Sequence, residues 1–222
     1  MLDRWSAGWV KRPLEGLASP LKVRGVHADR ITVAGFGIGL LAVPALAMGW
    51  YGLALLLIMA NRIADGIDGV LARDAGPTDA GGFLDIVLDF IFYSAVVVGF
   101  ALADPDRNAL AAAVLIFSFV GTGSSFLGFA AMTEKQGRSP EVSTAKSIHY
   151  QEGLTEGTET IAFYVAVCLF PHAFPWLALL FAGACGVTTA IRVVTGYQTL
   201  STTSITGMSD ESGPLTQGAK IK

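Results

Sequence analysis

The chain has 222 residues, 52% of them hydrophobic and only 15% charged, with a mean hydropathy of +0.55. Soluble domains carry about 25% charged residues, so this composition excludes an ordinary water-soluble globule and points to the membrane class. The net charge of -3 is small and the basic residues form no stripe, which argues against a nucleic-acid partner.

Residues 1–20 mix Trp5, Trp9, Val10, Leu14 and Leu17 with Arg4, Lys11 and Arg12, the pattern of an amphipathic helix lying at the lipid interface. Charges on both sides of short apolar stretches are unlike a secretory signal. A spanning helix needs roughly 20 mostly apolar residues, and six stretches qualify: about 31–50, 51–73, 80–103, 108–132, 155–172 and 174–196. The second carries Asn61, Arg62, Asp65 and Asp68, the fifth starts with Glu156 and Glu159, and the sixth contains Arg192. Ionisable groups inside a span are costly unless they face a polar cavity or a partner, so each is a functional candidate. Cys168 and Cys185 lie in apolar segments with no CxxC pair and read as buried free thiols. The last 20 or so residues are rich in Ser, Thr and Gly and read as a disordered tail. The expected organisation is all-α: an interfacial helix over 1–20, a six-span membrane domain over 21–197 and a flexible cytoplasmic tail over 198–222. No internal repeat is present, unlike transporters built from duplicated halves.

Six spans place the N-terminus, the 73–80 turn, the 133–153 loop and the tail on one side, with nearly all of the Lys and Arg; the opposite side has Arg107. By the positive-inside rule both termini face the cytoplasm.

The informative segment runs from Asp65 to Asp89, DGIDGVLARDAGPTDAGGFLDIVLD. At about 100° per residue, Asp65, Asp68, Gly69 and Ala72 share about 100° of arc, with Arg73 at its edge. Gly81, Asp85 and Asp89 recur at i, i+4, i+8 on the following helix. Gly76-Pro77 marks a tight turn, making the two helices antiparallel neighbours and gathering four aspartates near the cytoplasmic face. Converging carboxylates stay ionised together only with cations to compensate them. Hard oxygen ligands call for a hard cation, Mg2+ first and Mn2+ second. Gly69 and Gly81 leave room for a nucleotide to approach, and Arg73 is placed to reach phosphate oxygens.

The pattern Asp65-x2-Asp68-Gly69-x2-Ala72-Arg73 … Gly81-x3-Asp85-x3-Asp89 resembles the signature of the CDP-alcohol phosphatidyltransferase family, and the six-span layout with an interfacial helix extends the likeness over roughly residues 1–197. One departure stands in the turn: seven residues separate Arg73 from Gly81 where the usual pattern has eight, which bears on any donor contact of Thr78. Asp29-Arg30-Ile31-Thr32 is similar to the family's Asn-x-(apolar)-Thr start of the first span, with Asp29 in place of Asn; a helix N-cap reads equally well for Asp29 and Thr32. The resemblance implies a CDP-diacylglycerol or related CDP-alcohol donor, release of CMP, a homodimer and an inner-membrane location. It implies metal on Asp65, Asp68, Asp85 and also Asp89, with Asp89 as general base, and a nucleotide site lined by Gly69, Ala72, Arg73, Gly81, Thr32 and Thr78.

Acceptor candidates are Thr122, Ser124 and Ser125, Glu156 and Glu159, Lys146 and Arg192. Glu156 and Glu159 share a face at i, i+3 and would equally favour a helix N-terminus; GTGSSF would equally serve as a small-residue packing surface. An anionic acceptor such as glycerol 3-phosphate would use Lys135, Arg138, Lys146 and Arg192, whereas the TEGTE stretch would suit an amine or a polyol. GLTEGTET resembles a bacterial inner-membrane branch of the family more than its well-known synthases. Two rival readings stand beside the transferase: a divalent-cation transporter, which would place acidic groups at several depths, and a non-catalytic membrane lipid-binding protein.

Overall fold

The computed structural model describes residues 3–135, 155 and 157–210, with side chains described over 13–135, at 155 and over 157–201. Helix α1 spans Asp3–Val23, α2 Ala28–Leu40, α3 Ala42–Ala47, α4 Tyr51–Ala75, α5 Asp79–Ala103, α6 Pro105–Lys135 and α7 Gly157–Leu169; a 3-10 turn at Pro171–Ala173 leads into α8, Phe174–Asp210. Among the described residues there is no strand.

Among the described residues four stretches are long and apolar enough to cross a membrane: Ala28–Ala47, Asp79–Ala103, Pro105–Lys135 and Pro171–Ser201. Of the six expected spans, the other two fall on α4, whose 25 residues carry charges in the second half, and on α7, which is 13 residues long. The outward surfaces of α6 and α8 carry large apolar side chains: Phe117 and Leu110 are each 78% exposed and Trp176 is 77% exposed. A belt of this kind needs a lipid or protein neighbour.

The first expected span is two helices rather than one. Proline has no N–H and clashes with the preceding turn, so Pro44 interrupts the ladder, and Leu41 joins α2 to α3. The N-cap of α2 is His27, and both Asp29 and Thr32 lie inside the helix; the Thr32 hydroxyl donates to the Ala28 carbonyl at 3.2 Å. Helix α1 lies along α4, where Ala18, Val70 and Leu71 form a small core with Leu14 packed against it. Lys22 donates to Asp74 at 2.7 Å across the same contact. The Trp and basic side chains that suggest an interfacial role precede residue 13 and lie outside the described side chains.

The main core fills the centre of the bundle. Phe100 stacks on Phe174 at 4.7 Å and Phe163 on Phe181 at 4.8 Å between ring centroids, geometries that add to the gain from burial. Helix α2 packs against both α4 and α5. Its approach to α4 depends on Gly35, where a Cβ would lie 2.5 Å from that of Ala64. The expected close pairing of α4 and α5 is looser than the tight turn implies. Their contact is carried by side chains such as Arg62 and Asp89, while α2 packs against both helices.

At the other end, Asp104 accepts from the Arg107 backbone N–H at 3.3 Å and Asn108 donates to the Phe100 carbonyl at 2.8 Å, tying α6 to α5. Cys168 and Cys185 are buried free thiols, as expected. The stretch expected to be a disordered tail is helical as far as Asp210. Thr199 near its start bonds back to the Thr195 carbonyl at 2.9 Å, as Thr195, just before it, does to the Ile191 carbonyl at 2.7 Å, so a Ser/Thr-rich composition need not end a helix.

Candidate active site

Two turns of α4 and two of α5 supply the site. Asp65 and Asp68 project from one stripe of α4 and Asp85 from α5, and one carboxylate oxygen from each lies within 4.8 Å of the others. Asp68 is 5% exposed, and its buried Oδ2 has no hydrogen-bond partner. An orphaned anionic oxygen costs free energy unless something positive meets it. The three hard oxygen donors of this group fit Mg2+ or Mn2+.

Asp89, one helical turn on from Asp85, stands outside this group of three. Its Oδ1 accepts from Arg62 Nη2 at 2.7 Å and its Oδ2 from Arg62 Nη1 at 3.4 Å, while the Tyr93 hydroxyl donates to Oδ2 at 3.3 Å. Arg62 is itself fixed on several sides. Its Nε donates to Asn61 Oδ1 at 2.8 Å and its Nη1 to the Tyr93 hydroxyl oxygen at 2.9 Å. The guanidinium carbon lies 4.9 Å from the Phe92 ring centroid and 5.1 Å from that of Tyr93. Asn61 in turn donates to the Gly35 carbonyl at 3.0 Å, anchoring the chain of contacts in α2. The Arg62 side chain is 7% exposed, against 29% for Asp89.

Two clefts meet at this point. One, of about 390 Å³, is bounded by the start of α2, the end of α4, the turn and the start of α5, and its lining includes His27, Asp29, Thr32, Asp68, Gly69, Ala72, Thr78, Gly81 and Asp85. Gly76 at φ 95° ends α4, a left-handed backbone that glycine takes without strain. Thr78 caps α5 by accepting from the Gly81 N–H at 3.1 Å, so its hydroxyl has a structural duty beside its place on the cleft wall. A Cβ at Gly81 would lie 3.0 Å from both Asp29 Oδ1 and Thr78 Oγ1, and one at Gly69 would lie 3.3 Å from the Arg73 guanidinium. Arg73 is exposed and stands beside the cleft rather than among its lining residues.

The second cleft, of about 420 Å³, opens between α5, α6, α7 and α8 and is lined by Asp85, Asp89, Tyr93, Thr122, Phe126, Thr155, Thr160, Arg192 and their neighbours. Asp85 borders both clefts. Asp65 borders a narrow gap between them with Arg62 and Asp89. Arg192 Nη1 donates to the Thr122 carbonyl at 3.3 Å, and its guanidinium carbon lies 5.7 Å from the Phe126 ring centroid.

The other expected acceptor residues fare differently. Ser124 and Ser125 bond to the Gly121 and Thr122 carbonyls of their own helix, and neither lines the second cleft. Glu159 stands in the first turn of α7, also off the cleft lining. Glu156, Lys146 and Arg138 lie outside the described residues. The sequence marks Arg62 as a functional candidate within a span without giving it a role, and it leaves Tyr93 unmarked. The available signal was the Asn61-Arg62 pair in an otherwise apolar run, with Arg62 one turn before Asp65 on the same face.

The family model described as CDP-alcohol phosphatidyltransferase matches residues 26–197. The inner membrane protein YnjF of Escherichia coli (strain K12) is 50% identical over 200 residues, covering 90% of this chain and 97% of its own length. The archaetidylinositol phosphate synthase of Pyrococcus horikoshii is 30% identical over 138 residues, 57% of this chain and 73% of its own. The crystal structure of Mycobacterium tuberculosis phosphatidylinositol phosphate synthase (PgsA1) with CDP-DAG bound has a TM-score of 0.62 and 20% identity, covering 84% of this chain and 94% of that one. That last likeness is one of fold.

Proposed function

The chain belongs to the CDP-alcohol phosphatidyltransferase family, and from that premise we propose that it moves a phosphatidyl group from CDP-diacylglycerol to a small anionic alcohol, a phosphorylated polyol, with release of CMP. The observation that carries this reading is the meeting of two clefts at Asp85, one walled by small and polar residues and the other holding Arg192. The first cleft takes the cytidine and pyrophosphate of the donor. The second takes the acceptor, with the Arg192 guanidinium on its phosphate. Both the archaeal relative and the solved structure bear inositol phosphate synthase names, which supports a phosphorylated polyol over an amine.

Asp65, Asp68 and Asp85 would hold Mg2+ or Mn2+, which when bound draws off charge as a phosphate P–O bond breaks. The acceptor oxygen bonds to the phosphorus that carries the lipid. The bond from that phosphorus to the bridging oxygen breaks, and this oxygen leaves with CMP. The acceptor proton passes to an Asp89 oxygen at the wall of the second cleft, and Arg62 and Tyr93 hold that carboxylate in place. The pairing with Arg62 occupies Asp89 and counts against it as a metal ligand.

In this proposal α4 and α7 complete six spans of a bacterial inner membrane, in keeping with the name of the E. coli relative. Both termini and the site face the cytoplasm, and two copies pair as the resemblance implies. The transporter reading is disfavoured: among the described residues the one group of three candidate metal-holding side chains is a single cluster rather than a path. The experiment is CMP release by purified protein from CDP-diacylglycerol with Mg2+ or Mn2+, against inositol phosphate, glycerol 3-phosphate, inositol, serine and choline, with lipid products identified by mass. Release with a phosphorylated polyol is expected. Turnover with serine or choline and none with either phosphate would overturn the acceptor assignment.

A further inference from the structure

Four carboxylates converge on this site, yet the described geometry divides them three to one. Asp65, Asp68 and Asp85 turn an oxygen each towards a common point, whereas both Asp89 oxygens face the Arg62 guanidinium. We propose that Arg62 is a built-in cation that keeps Asp89 out of the metal shell, so that the site holds one divalent ion rather than two. The inference rests on the transferase reading above and adds to it the ion count and the residue that sets it.

The argument turns on what a second ion would have to displace. To ligate it, Asp89 would give up a 2.7 Å charge-assisted contact. The guanidinium left behind could not swing out to water, because Asn61, Tyr93 and the Phe92 ring hold it at 7% exposure. Its other carboxylate neighbour, Asp65 at 3.6 Å, belongs to the first ion. A buried guanidinium beside a second dication would meet close-range repulsion with little solvent to screen it. Arg62 thus supplies one fixed positive charge where a metal would otherwise be recruited, and it acts on the reaction as a positioning residue for Asp89.

The test is Mn2+ binding to the full chain in lipid nanodiscs, followed by electron paramagnetic resonance and calorimetry, with CMP release measured on the same samples. About one Mn2+ per chain is expected for the wild type and for Arg62→Lys, which keeps the charge. Arg62→Gln frees Asp89 and is expected to take up about two, with the line broadening of a coupled pair. Asp89→Asn is expected to keep about one Mn2+ with affinity within roughly threefold of wild type, since it removes no ligand of the first ion. Two ions in the wild type, one in a folded Arg62→Gln, or loss of Mn2+ in Asp89→Asn would each overturn the proposal. Arg62→Lys and Asp89→Asn keep it falsifiable if Arg62→Gln does not fold. The two readings fail separately: wild-type protein with one Mn2+ but no CMP release refutes the transferase assignment and leaves the ion count standing.

Discussion

The two clefts that share Asp85 are close in size, about 390 and 420 Å³, but they are built from different materials. The first comes from neighbouring stretches of chain, residues 27–32 and 68–85, and its walls are glycine, alanine, threonine and aspartate. The second draws its lining from α5, α6, α7 and α8, with the rings of Phe90, Tyr93, Phe119 and Phe126, three threonines and two aspartates around a cavity that Arg192 also borders. A site made of short contiguous segments is shaped by helical periodicity and by a turn. One made of distant segments is shaped by how whole helices pack. The first suits a ligand with one fixed geometry, and the second leaves room for specificity to change without disturbing the first.

The sharpest way to erase the difference is to strike the residue both clefts share. Asp85→Asn removes a carboxylate from the group of three and is expected to lower CMP release at least about a hundredfold with every acceptor, since even residues that merely support metal ligands cost roughly 10–100-fold. Mn2+ affinity should fall with it. Normal turnover in this variant would refute the metal assignment.

Arg192→Gln should instead separate the clefts. A hydrogen bond to a charged group contributes about 1.5–3 kcal/mol, so KM for a phosphorylated acceptor should rise roughly 10–100-fold while KM for CDP-diacylglycerol holds. Equal rises in both constants would place Arg192 outside the acceptor site. Gly81→Val is the mirror experiment. Its side chain would crowd Asp29 and Thr78 across the first cleft, and KM for the donor should rise about tenfold, in line with an overpacking cost of about 1–3 kcal/mol. The acceptor constant should be unmoved, and Gly81→Ala should fall between.

The same contrast explains what could be read from the residues alone. The aspartate stripes follow from i, i+3 and i, i+4 spacing on α4 and α5, and the structure brings Asp65, Asp68 and Asp85 together. Helical periodicity says which residues share a face but not which helix that face meets. The sequence therefore groups Thr122 with Ser124 and Ser125, although of the three only Thr122 lines the second cleft. Arg62 is visible as a charge in a span, but its link to Asp89 is a contact between residues 27 positions apart, which depends on how α4 and α5 pack. Pro44 did carry a legible signal, and the break at Leu41 follows from it. The helical run to Asp210 was masked by a composition that resembles disorder.

The smallest expected effect tests whether the second cleft is held as firmly as the first. Tyr164 is fully buried and its hydroxyl donates to the Tyr93 carbonyl at 2.8 Å, joining α7 to α5 beneath the cleft wall. Tyr164→Phe keeps the ring contacts with Tyr93 and Phe163 and removes only the hydroxyl. The Tyr93 carbonyl lies within α5, where the helical ladder still supplies a donor, so no acceptor is orphaned. The loss should be about 1 kcal/mol of stability, read as a small drop in melting temperature in detergent, with both KM values within roughly twofold of wild type. A selective rise in the acceptor constant would mean that the α5–α7 tie sets the geometry of the second cleft as well as its stability. Distant segments would then be tuning specificity through a single buried hydroxyl.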